Sequence, residues 1–391
     1  MKNSINLGDL KKAFAYKSNI ELRYSYYIFK VLQYPRILKL LSASANGILK
    51  HKLPLKFMIK NTVFKIFCAG ETIEEAFSLI KLLDKYHVRS VLDYVSEGEK
   101  TDVVFERNTN IIAENIVKLG KEAPGNYVSV KLSGLEDTIY LESINGKQFP
   151  IEVIAPFRFQ KFYNRIDLLC KTARENNVVV YFDAEDRCMQ DIFDAIIESM
   201  MEKYNKEDAI VFNTLQMYLK DRLDYIDFLI QEATEKKYIS GIKLVRGAYV
   251  EKERRLAYLE NRNSPVYDTK PQTDNAFNAA ADKCIKANTV VSTCIATHND
   301  ESTLHAINCI EKYAVENHQR KVRFSQLFGM SDNLTFNLAA NGFNASKYLP
   351  YGEVQKAIPY LIRRSEENSS MDGQVSRELL QLEGELQRRS S

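Results

Sequence analysis

Residues 178–216 read VVVYFDAEDRCMQDIFDAIIESMMEKYNKEDAIVFNTLQ. Two apolar runs in this stretch, 178–183 and 209–216, are rich in the β-branched and aromatic residues that favour buried strands. Between them, residues 191–204 carry apolar side chains at helical spacing. A strand that is apolar on both faces, followed by a helix and a second such strand, predicts a parallel sheet covered by helices.

The same strand and helix pattern recurs eight times along the chain. Six further strands are predicted at 88–95, 126–132, 240–246, 290–297, 322–328 and 344–349. Further helical patterns lie between them at 157–175, 220–235, 274–287 and 302–316. Eight such repeats predict an α/β fold of the (β/α)8 barrel class. The alternative, a doubly wound sheet, normally has a G-x-G-x-x-G turn after its first strand, and the sequence contains none.

Polar residues occur at the carboxyl ends of all eight predicted strands. They are Asp93, Lys131, Asp183, Gln216, Lys243 with Arg246, Thr297-His298-Asn299, Gln326 and Tyr348. A barrel of this class forms its active site where the strands end. Any one of these residues could be a satisfied polar group at the barrel mouth, but their occurrence on every strand predicts a polar site there.

The last predicted strand leads into residues 348–368, which read YLPYGEVQKAIPYLIRRSEEN. Apolar residues form one stripe of a helix here, and Arg363, Arg364 and Glu367 fall on its other side. Two adjacent guanidinium groups could hold a carboxylate through paired donors. The alternative is a solvated helix face on which Arg363 and Glu367 form an ordinary ion pair.

This stretch resembles the C-terminal signature of the proline dehydrogenases, flavoenzymes that oxidise L-proline. In that family a tyrosine precedes two adjacent arginines by fifteen residues, and Glu-Asn follows, as at Tyr348, Arg363 and Arg364 here. Four more motifs resemble the same family: VKLS at 130–133, YFDAED at 181–186, GIKLVRGAY at 241–249 and QLFGM at 326–330. The resemblance runs from Cys68 to Asn368. It implies a distorted barrel whose last helix carries substrate-binding arginines, after an N-terminal helical region.

The resemblance also implies roles for single residues and implies no metal site. The catalytic candidates are Asp183 and Lys243. The substrate-binding candidates are Lys131, Leu327, Tyr348, Arg363 and Arg364. The candidates for binding FAD are Ala184, Gln216, Val245, Arg246, Gly247, Ala248, Tyr249, Lys270, Thr297, His298, Asn299, Gln326 and Glu367. Lys243 and Val250 replace the Arg and Trp of many bacterial members, which resembles the eukaryotic-type branch. Glu97 is a candidate partner of Lys131 in a gate.

The implied reaction is the FAD-dependent oxidation of L-proline to Δ1-pyrroline-5-carboxylate, the first step of proline catabolism. A quinone would take the electrons, and a separate pyrroline-5-carboxylate dehydrogenase would oxidise the product. Hydroxyproline dehydrogenase is the close alternative, which Tyr348 disfavours because its side chain would crowd C4 of the ring. Two alternatives belong to other classes: a Schiff-base aldolase that uses Lys131 or Lys243, and a catalytically inactive barrel that binds an acidic partner.

Positive charge is concentrated at the N-terminus. Residues 1–67 hold 13 Lys and Arg against only Asp9 and Glu21, a net charge of +11, whereas the whole chain carries +3. Tyrosines and aliphatic residues interleave with these charges, as in helices that lie on an anionic membrane surface. A helical cap with solvated lysines is the alternative, and no nucleic-acid-binding motif accompanies the charge, so no nucleic-acid partner is expected.

The sequence therefore predicts three regions: a basic helical region at 1–87, the barrel at 88–368 and an amphipathic helix at 369–391. Residues 135–156 form an insertion with an Asn145-Gly146 hairpin turn. The six cysteines show no C-x-x-C spacing, and neither they nor the five histidines form a zinc pattern. Without a signal peptide or an apolar run of about eighteen residues, the expected protein is cytoplasmic, with the inner face of the membrane as a place for peripheral binding.

Overall fold

The computed structural model describes residues 5–32, 59–96, 100–146, 157–358, 360–361 and 374–391. Eight strands in these residues form a closed barrel in the order β1 to β8. They are β1 (Arg89–Tyr94), β2 (Tyr127–Val130), β3 (Val179–Phe182), β4 (Val211–Gln216), β5 (Ser240–Val245), β6 (Val291–Ala296), β7 (Val322–Leu327) and β8 (Asn344–Tyr351). Every strand overlaps one of the predicted runs, so the (β/α)8 class is confirmed.

Helices surround the strands, and the five helical patterns predicted between strands are all present. In chain order the helices are α1 (Leu10–Ala13), α2 (Asn19–Leu32), α3 (Lys65–Phe67), α4 (Ile73–Asp84), α5 (Asp102–Glu122), α6 (Thr138–Ile144), α7 (Phe157–Asn176), α8 (Gln190–Tyr204), α9 (Arg222–Lys236), α10 (Val250–Leu259), α11 (Lys270–Lys286), α12 (Asp300–Lys312), α13 (His318–Lys321), α14 (Asp332–Ala340) and α15 (Gln374–Ser390). A π-helical turn (Lys60–Phe64) precedes α3. Residues 354–358 are also helical.

Burial along the strands explains why their sequences are continuously apolar. Every residue of β2, β3 and β4 is buried, as parallel strands between a helical layer and a barrel interior must be. The polar residues begin where this burial ends. Lys131, Asp183, Arg246 and Thr297 each come directly after the last residue of a strand.

The chain divides into two compact units, Ser96–Phe324 and a second unit that joins Met1–Val95 to Ser325–Ser391. The domain boundaries at 87 and 368 stay a prediction. Within the second unit, the basic N-terminal region contributes to a hydrophobic core, because Phe29 and Leu32 of α2 are buried with Phe67 and Leu382. Tyr27 on the same helix is 63% exposed. Part of the apolar content of this region therefore serves internal packing.

A buried group of charges, here called the Asp332 cluster, also lies in this second unit. Asp332, the first residue of α14, is 2.8 Å from Nζ of Lys347 and 3.0 Å from Nζ of Lys17. Tyr16 donates its hydroxyl to the same carboxylate at 2.9 Å. Burial raises the pKa of Asp332, but the two ammonium groups outweigh it and lower that pKa to about 2. Asp332 therefore links the chain after α1 to strand β8.

The hairpin predicted at Asn145-Gly146 is wrong, because a helix precedes that turn. Asp137 accepts hydrogen bonds from the backbone N–H groups of Ile139 and Tyr140 and begins α6 in place of a strand. Asn145 then caps the end of α6 and accepts from the backbone N–H of Ile192 at 3.0 Å. Among the described helices, none is both long and apolar enough to cross a bilayer.

Candidate active site

Two lysines share one carboxylate at the carboxyl ends of β2, β3 and β5. Nζ of Lys243 donates to Oδ1 of Asp183 at 2.7 Å, and Nζ of Lys131 is 3.6 Å from Oδ2 of the same residue. The side chains of Lys243 and Lys131 are only 7% and 11% exposed. The backbone N–H of Asp183 donates to the carbonyl of Val130 at 2.9 Å, which fixes the carboxylate between the two strands that carry Lys131 and Asp183. The triad has a net charge of +1.

Tyr181 and Cys294 lie beside the Lys243 side chain. The Lys243 ammonium is 5.4 Å from the centroid of the Tyr181 ring, a distance suited to a cation–π contact. Cys294 is the register partner of Lys243 on β6. Burial raises the pKa of the Cys294 thiol, so it remains protonated. Cys294 is fully buried and packs as a core residue.

Arg246, directly after β5, is held in one orientation by three hydrogen bonds. Its Nε donates to Oδ1 of Asp274 at 2.6 Å, and its two terminal nitrogens donate to Thr297 Oγ1 at 2.5 Å and Ser302 Oγ at 2.9 Å. The guanidinium also stacks over the Phe277 ring at 4.6 Å. These bonds use three of the five N–H donors of an arginine. The planar cation is therefore fixed before any ligand arrives.

Asp274 contacts two cations, one through each of its carboxylate oxygens. Its second carboxylate oxygen accepts from Nζ of Lys270 at 2.6 Å. Burial raises the pKa of Asp274, but the hydrogen bonds from Lys270 and Arg246 outweigh it and lower that pKa. Arg246, Asp274 and Lys270 together carry a net charge of +1, like the lysine triad.

The beginning of α12 supplies further polar groups. Asn299 caps this helix by accepting from the backbone N–H of Ser302 at 2.8 Å, and its own backbone N–H donates to Thr297 Oγ1 at 3.1 Å. His298 lies between Thr297 and Asn299 and is partly exposed. The first turn of α12 carries Asp300 and Glu301, and their charges offset the partial positive charge of the helix N-terminus.

Gln216, the last residue of β4, is held against the loop that follows β3. Its side-chain amide donates to the backbone carbonyl of Glu185 at 2.8 Å. Glu185 in turn accepts from the backbone N–H of Ser133 at 3.0 Å and from the Ser133 hydroxyl. The loops after β2, β3 and β4 are therefore joined through Glu185, one residue after the candidate Ala184.

Gly247 has φ of +115°, a conformation that side-chain-bearing residues rarely adopt. A Cβ added here would lie 1.6 Å from Cε1 of Tyr218, which is buried. The family resemblance made this glycine a candidate for binding FAD, and the contact with Tyr218 gives a reason for it within the fold. Val245 and Tyr249 on either side are partly exposed and Ala248 is exposed.

Three candidates belong to the other unit. The side chain of Gln326, at the end of β7, is buried and accepts from Thr335 Oγ1 at 2.8 Å. Leu327 is partly exposed. Tyr348 of β8 is 7% exposed, and its backbone carbonyl accepts from the N–H of Phe328 at 3.1 Å. Arg363, Arg364, Glu367 and Glu97 lie outside the described residues.

Sequence reasoning missed the residues that hold the candidates in place. Asp274, Ser302, Glu185 and Tyr181 received no role, although each contacts a candidate through a bond or a ring. Glu185 stands within the quoted motif 181–186, so its carboxylate was a visible signal. For Asp274, the spacing of four residues from Lys270 on one helix was the signal that could have found it.

The described site can bind anions, because it contains two groups of net charge +1 in a half-buried setting. Positive charge in such a setting is screened less than on the surface. The two lysines and Arg246 suit carboxylate or phosphate oxygens.

Comparison with known proteins identifies a family and several similar sequences. A family model described as proline dehydrogenase matches residues 76–377. The carbapenem antibiotics biosynthesis protein CarD of Pectobacterium carotovorum is 32% identical over 84% of this chain and 84% of its own length. The mitochondrial proline dehydrogenase 1 of Dictyostelium discoideum is 31% identical over 99% of this chain and 75% of its own. The hydroxyproline dehydrogenase of Xenopus laevis is 27% identical over 96% of this chain and 88% of its own.

Among solved structures, proline utilization A from Bdellovibrio bacteriovorus is similar, with a TM-score of 0.71 and 21% identity over 79% of this chain. The present chain spans about a third of that protein, since the match covers 33% of it. At this identity the likeness shows the fold alone.

Proposed function

The chain belongs to the proline dehydrogenase family, and from that premise we propose that it oxidises L-proline to Δ1-pyrroline-5-carboxylate with FAD as its cofactor and a quinone as electron acceptor. Family membership makes it an oxidoreductase that acts on proline, at the first step of proline catabolism. The observation that carries the finer proposal is the pairing of Lys131 and Lys243 with the single carboxylate of Asp183.

The two contacts of Asp183 suggest different tasks for the two lysines. Lys243 is held at 2.7 Å, so we assign it to a fixed positive charge beside the cofactor. Lys131 lies farther from Asp183, at 3.6 Å, and the family resemblance assigns it to the substrate carboxylate. Asp183 then acts as the catalytic residue that fixes the direction of both charges. A fixed charge lowers the barrier because it needs no reorganisation during the reaction.

The residues at the ends of β4, β5 and β6 fit FAD. Gln216, Arg246, Thr297, His298 and Asn299 supply amide, guanidinium, hydroxyl and imidazole donors. Of these, the Arg246 guanidinium is already immobilised by Asp274, Thr297 and Ser302, as a pyrophosphate-binding cation should be. Bound FAD would accept the hydride that leaves C5 of the pyrrolidine ring. The other cofactor-binding roles, including those of Ala184, Val245, Gly247, Ala248, Tyr249, Lys270, Gln326 and Glu367, are proposed from the family resemblance.

The proline pocket is likewise proposed from the resemblance. Leu327 and Tyr348 would contact the pyrrolidine ring, and Arg363 and Arg364 would bind its carboxylate. A charged hydrogen bond of this kind contributes about 1.5–3 kcal/mol. Arg364→Ala should therefore raise KM for proline about 10- to 150-fold while flavin content stays unchanged. Arg255→Ala, at an exposed position on α10, is the matched control. An unchanged KM in Arg364→Ala would make the pair a solvated helix face.

The arrangement at Asp183 argues against the Schiff-base aldolase. An amine that attacks a carbonyl must first lose its proton, whereas both lysines are ion-pair partners of a carboxylate. Such pairing suits a fixed positive charge better than a nucleophile.

The decisive experiment is anaerobic addition of L-proline to the purified, flavin-loaded protein. We expect the visible flavin absorption to disappear near neutral pH, and the product to react as Δ1-pyrroline-5-carboxylate. Full flavin occupancy with no loss of absorption would reject the proposal. A purified protein that binds no flavin at all would favour the inactive barrel or the aldolase.

Hydroxyproline is the second candidate substrate, because the similarity to the Xenopus enzyme covers 96% of this chain. Tyr348 argues for proline, since its ring should crowd a substituent on C4. The same anaerobic experiment with trans-4-hydroxy-L-proline should reduce the flavin more slowly, and Tyr348→Ser should narrow the difference. Faster reduction by hydroxyproline in the unmodified protein would reverse the assignment.

The quinone proposal needs access to a membrane, for which the basic N-terminal region is the candidate. Each Lys or Arg near an anionic surface contributes about 1 kcal/mol, so neutralising several should release the protein. Lys39, Lys50, Lys52 and Lys56 can be changed together to Gln. Exposed lysines of the other unit make the matched control, namely Lys171, Lys206, Lys237 and Lys286.

Co-sedimentation with phosphatidylserine vesicles should show salt-sensitive binding that the first set of changes weakens and the second does not. Neutral vesicles should bind neither the unmodified protein nor the two variants. Equal binding of both variants, or none by the unmodified protein, would leave the N-terminal region as a structural cap. The peripheral membrane location would then be rejected for this protein.

A further inference from the structure

Three side chains with metal-ligating atoms meet on the neighbouring helices α11 and α12. They are Asp282 of α11 and His305 and Cys309 of α12, here called the Asp-His-Cys cluster. Sγ of Cys309 is 3.4 Å from Oδ1 of Asp282 and 3.6 Å from Nε2 of His305. All three ligand atoms lie within 4.8 Å of one another. The active-site roles assigned above use none of these residues.

Two of the three separations in the cluster suit a tetrahedral metal site. Nitrogen, oxygen and sulfur ligands lie about 2.0–2.3 Å from Zn²⁺, so neighbouring ligand atoms in a tetrahedron are about 3.5 Å apart. The two measured separations, 3.4 and 3.6 Å, match that value. His305 and Cys309 are four residues apart on one helix and therefore lie on the same face. Little side-chain movement is needed for both to bind one ion.

An outer hydrogen bond orients one of the ligands, as in known metal sites. Tyr313 donates its hydroxyl to Oδ2 of Asp282 at 2.9 Å, which leaves Oδ1 directed at the thiol. Nε2 of His305 is 3.1 Å from the backbone carbonyl of Asn278, a contact that coordination through Nε2 would replace. Oδ1 of Asn278 is buried without a hydrogen-bond partner among the described residues, one turn before Asp282 on α11. An oxygen acceptor near the cluster thus has unused capacity.

We propose that Asp282, His305 and Cys309 bind a Zn²⁺ ion, with a water molecule or Asn278 as the fourth ligand. A thiolate and an imidazole select zinc over magnesium and calcium, which prefer oxygen ligands. Cysteine binds zinc as a thiolate, so zinc binding should release the proton of the Cys309 thiol.

The ion would act as a clamp between two helices that also carry flavin-site residues. At their N-terminal ends, α11 holds Asp274 and α12 holds Ser302, and both accept hydrogen bonds from Arg246. A bond across the middle of the helix pair restrains the relative position of those ends. The predicted consequence is that zinc increases the thermal stability of the protein and reduces the loss of bound FAD, which rests on the proposed cofactor. Binding itself can be tested without it.

One cation competes for the cluster. Nζ of Lys312 is 3.2 Å from Oδ1 of Asp282 and its side chain is 61% exposed. Because the ammonium can swing into solvent, it is a displaceable occupant of the ligand oxygen. Lys312→Gln should therefore tighten metal binding by up to about fivefold, the factor that corresponds to an exposed ion pair. If the cluster only stabilised the fold, Lys312→Gln would not bind the metal more tightly than the unmodified protein.

The experiment is titration of the EDTA-dialysed full-length protein with Co²⁺, followed by displacement with Zn²⁺. We expect d–d bands at longer wavelengths than the flavin absorption, a thiolate charge-transfer band and one equivalent bound at micromolar or tighter affinity. Cys309→Ser should remove the charge-transfer band, and His305→Gln should weaken binding at least tenfold. Cys188→Ser, at a partly buried cysteine elsewhere, should bind like the unmodified protein.

Far-UV circular dichroism of each variant establishes that it is folded before its affinity is compared. Absence of saturable Co²⁺ and Zn²⁺ binding in the unmodified protein would overturn the proposal. Equal binding in folded Cys309→Ser and His305→Gln proteins would overturn it as well, because the ion would then sit elsewhere. Failure of the FAD-retention effect alone would remove the proposed link between the clamp and the flavin site.

Discussion

Lys347→Met tests the Asp332 cluster most directly. Lys347 lies in β8 with its side chain 0% exposed, and its Nζ is 2.8 Å from Oδ1 of Asp332. It also donates to the backbone carbonyl of Met330. Methionine has a similar length and no charge, so the substitution removes the ammonium while the packed volume stays nearly the same.

Removal of one partner of a buried ion pair costs about 3–5 kcal/mol, because the other charge remains buried. Asp332 keeps the Lys17 ammonium at 3.0 Å and the Tyr16 hydroxyl at 2.9 Å. We therefore expect Lys347→Met to lower the free energy of unfolding by the lower value, about 3 kcal/mol. Asp332→Asn should cost at least as much, since it leaves two ammonium groups without their carboxylate. In the double variant the losses should fall short of their sum by about 1–3 kcal/mol.

Urea unfolding followed by far-UV circular dichroism measures these differences, because the chain has no Trp for fluorescence. Lys85→Met, at an exposed position, should stay within about 0.5 kcal/mol of the unmodified protein. The reasoning is refuted if Lys347→Met costs less than about 1 kcal/mol, or if the two single losses simply add. Either result would mean that water or a rearranged partner satisfies Asp332.

Three further predictions concern pH, the triad and a glycine. The pKa of about 2 at Asp332 in the folded protein lies below its value in the unfolded chain. Its contribution of about 2 kcal/mol to the free energy of unfolding is therefore present above about pH 4 and is lost between about pH 4 and 2. Over that range, the urea midpoint should fall less in Asp332→Asn than in the unmodified protein. Asp183→Asn should lower kcat/KM for L-proline at least about 100-fold, the factor for a lost charge pair of about 3 kcal/mol, and steady-state kinetics showing a loss under about threefold would contradict this. Gly247→Ala should destabilise the protein by about 2 kcal/mol or more, because its Cβ would meet Tyr218 at φ of +115°; thermal unfolding unchanged from the parent protein would count against it.

The strands were predictable because burial is a local property of a parallel strand. Each run of β-branched and aromatic residues is covered on both faces, so the apolar pattern is continuous and its end marks the strand end. The predicted run 178–183 contains β3, and Asp183 is the first residue after that strand. The predicted run 240–246 contains β5, and Arg246 is the first residue after that strand. Strand β8 continues two residues beyond its predicted end, through Pro350 to Tyr351. Register pairing with β1 holds it extended there.

The partners of the site residues were not predictable, because they come from distant parts of the chain. Arg246 is bonded to residues 28, 51 and 56 positions away, and Lys243 to a residue 60 positions away. Consecutive pairing of strands β3 to β6 brings such residues together, and no spacing rule contains that information. The Asp-His-Cys cluster escaped for the same reason. His305 and Cys309 are four residues apart on α12, which is an informative spacing. Asp282, however, lies on the preceding helix, and the zinc patterns of closely spaced Cys and His residues do not include such an aspartate.

The charge at the site depends on which charged side chains are brought together there, and it differs in sign from the net charge of the surrounding sequence. Residues 1–67 carry +11, so the remaining 324 residues carry −8. Even so, the triad of Lys131, Asp183 and Lys243 has a net charge of +1, and its lysine side chains are at most 11% exposed. Charges in that setting are screened weakly by salt, whereas exposed lysines of the N-terminal region are screened over about 10 Å. A small anion at the triad and an anionic surface at the N-terminus would therefore be recognised through two independent fields, and a change of ionic strength should weaken the second far more than the first.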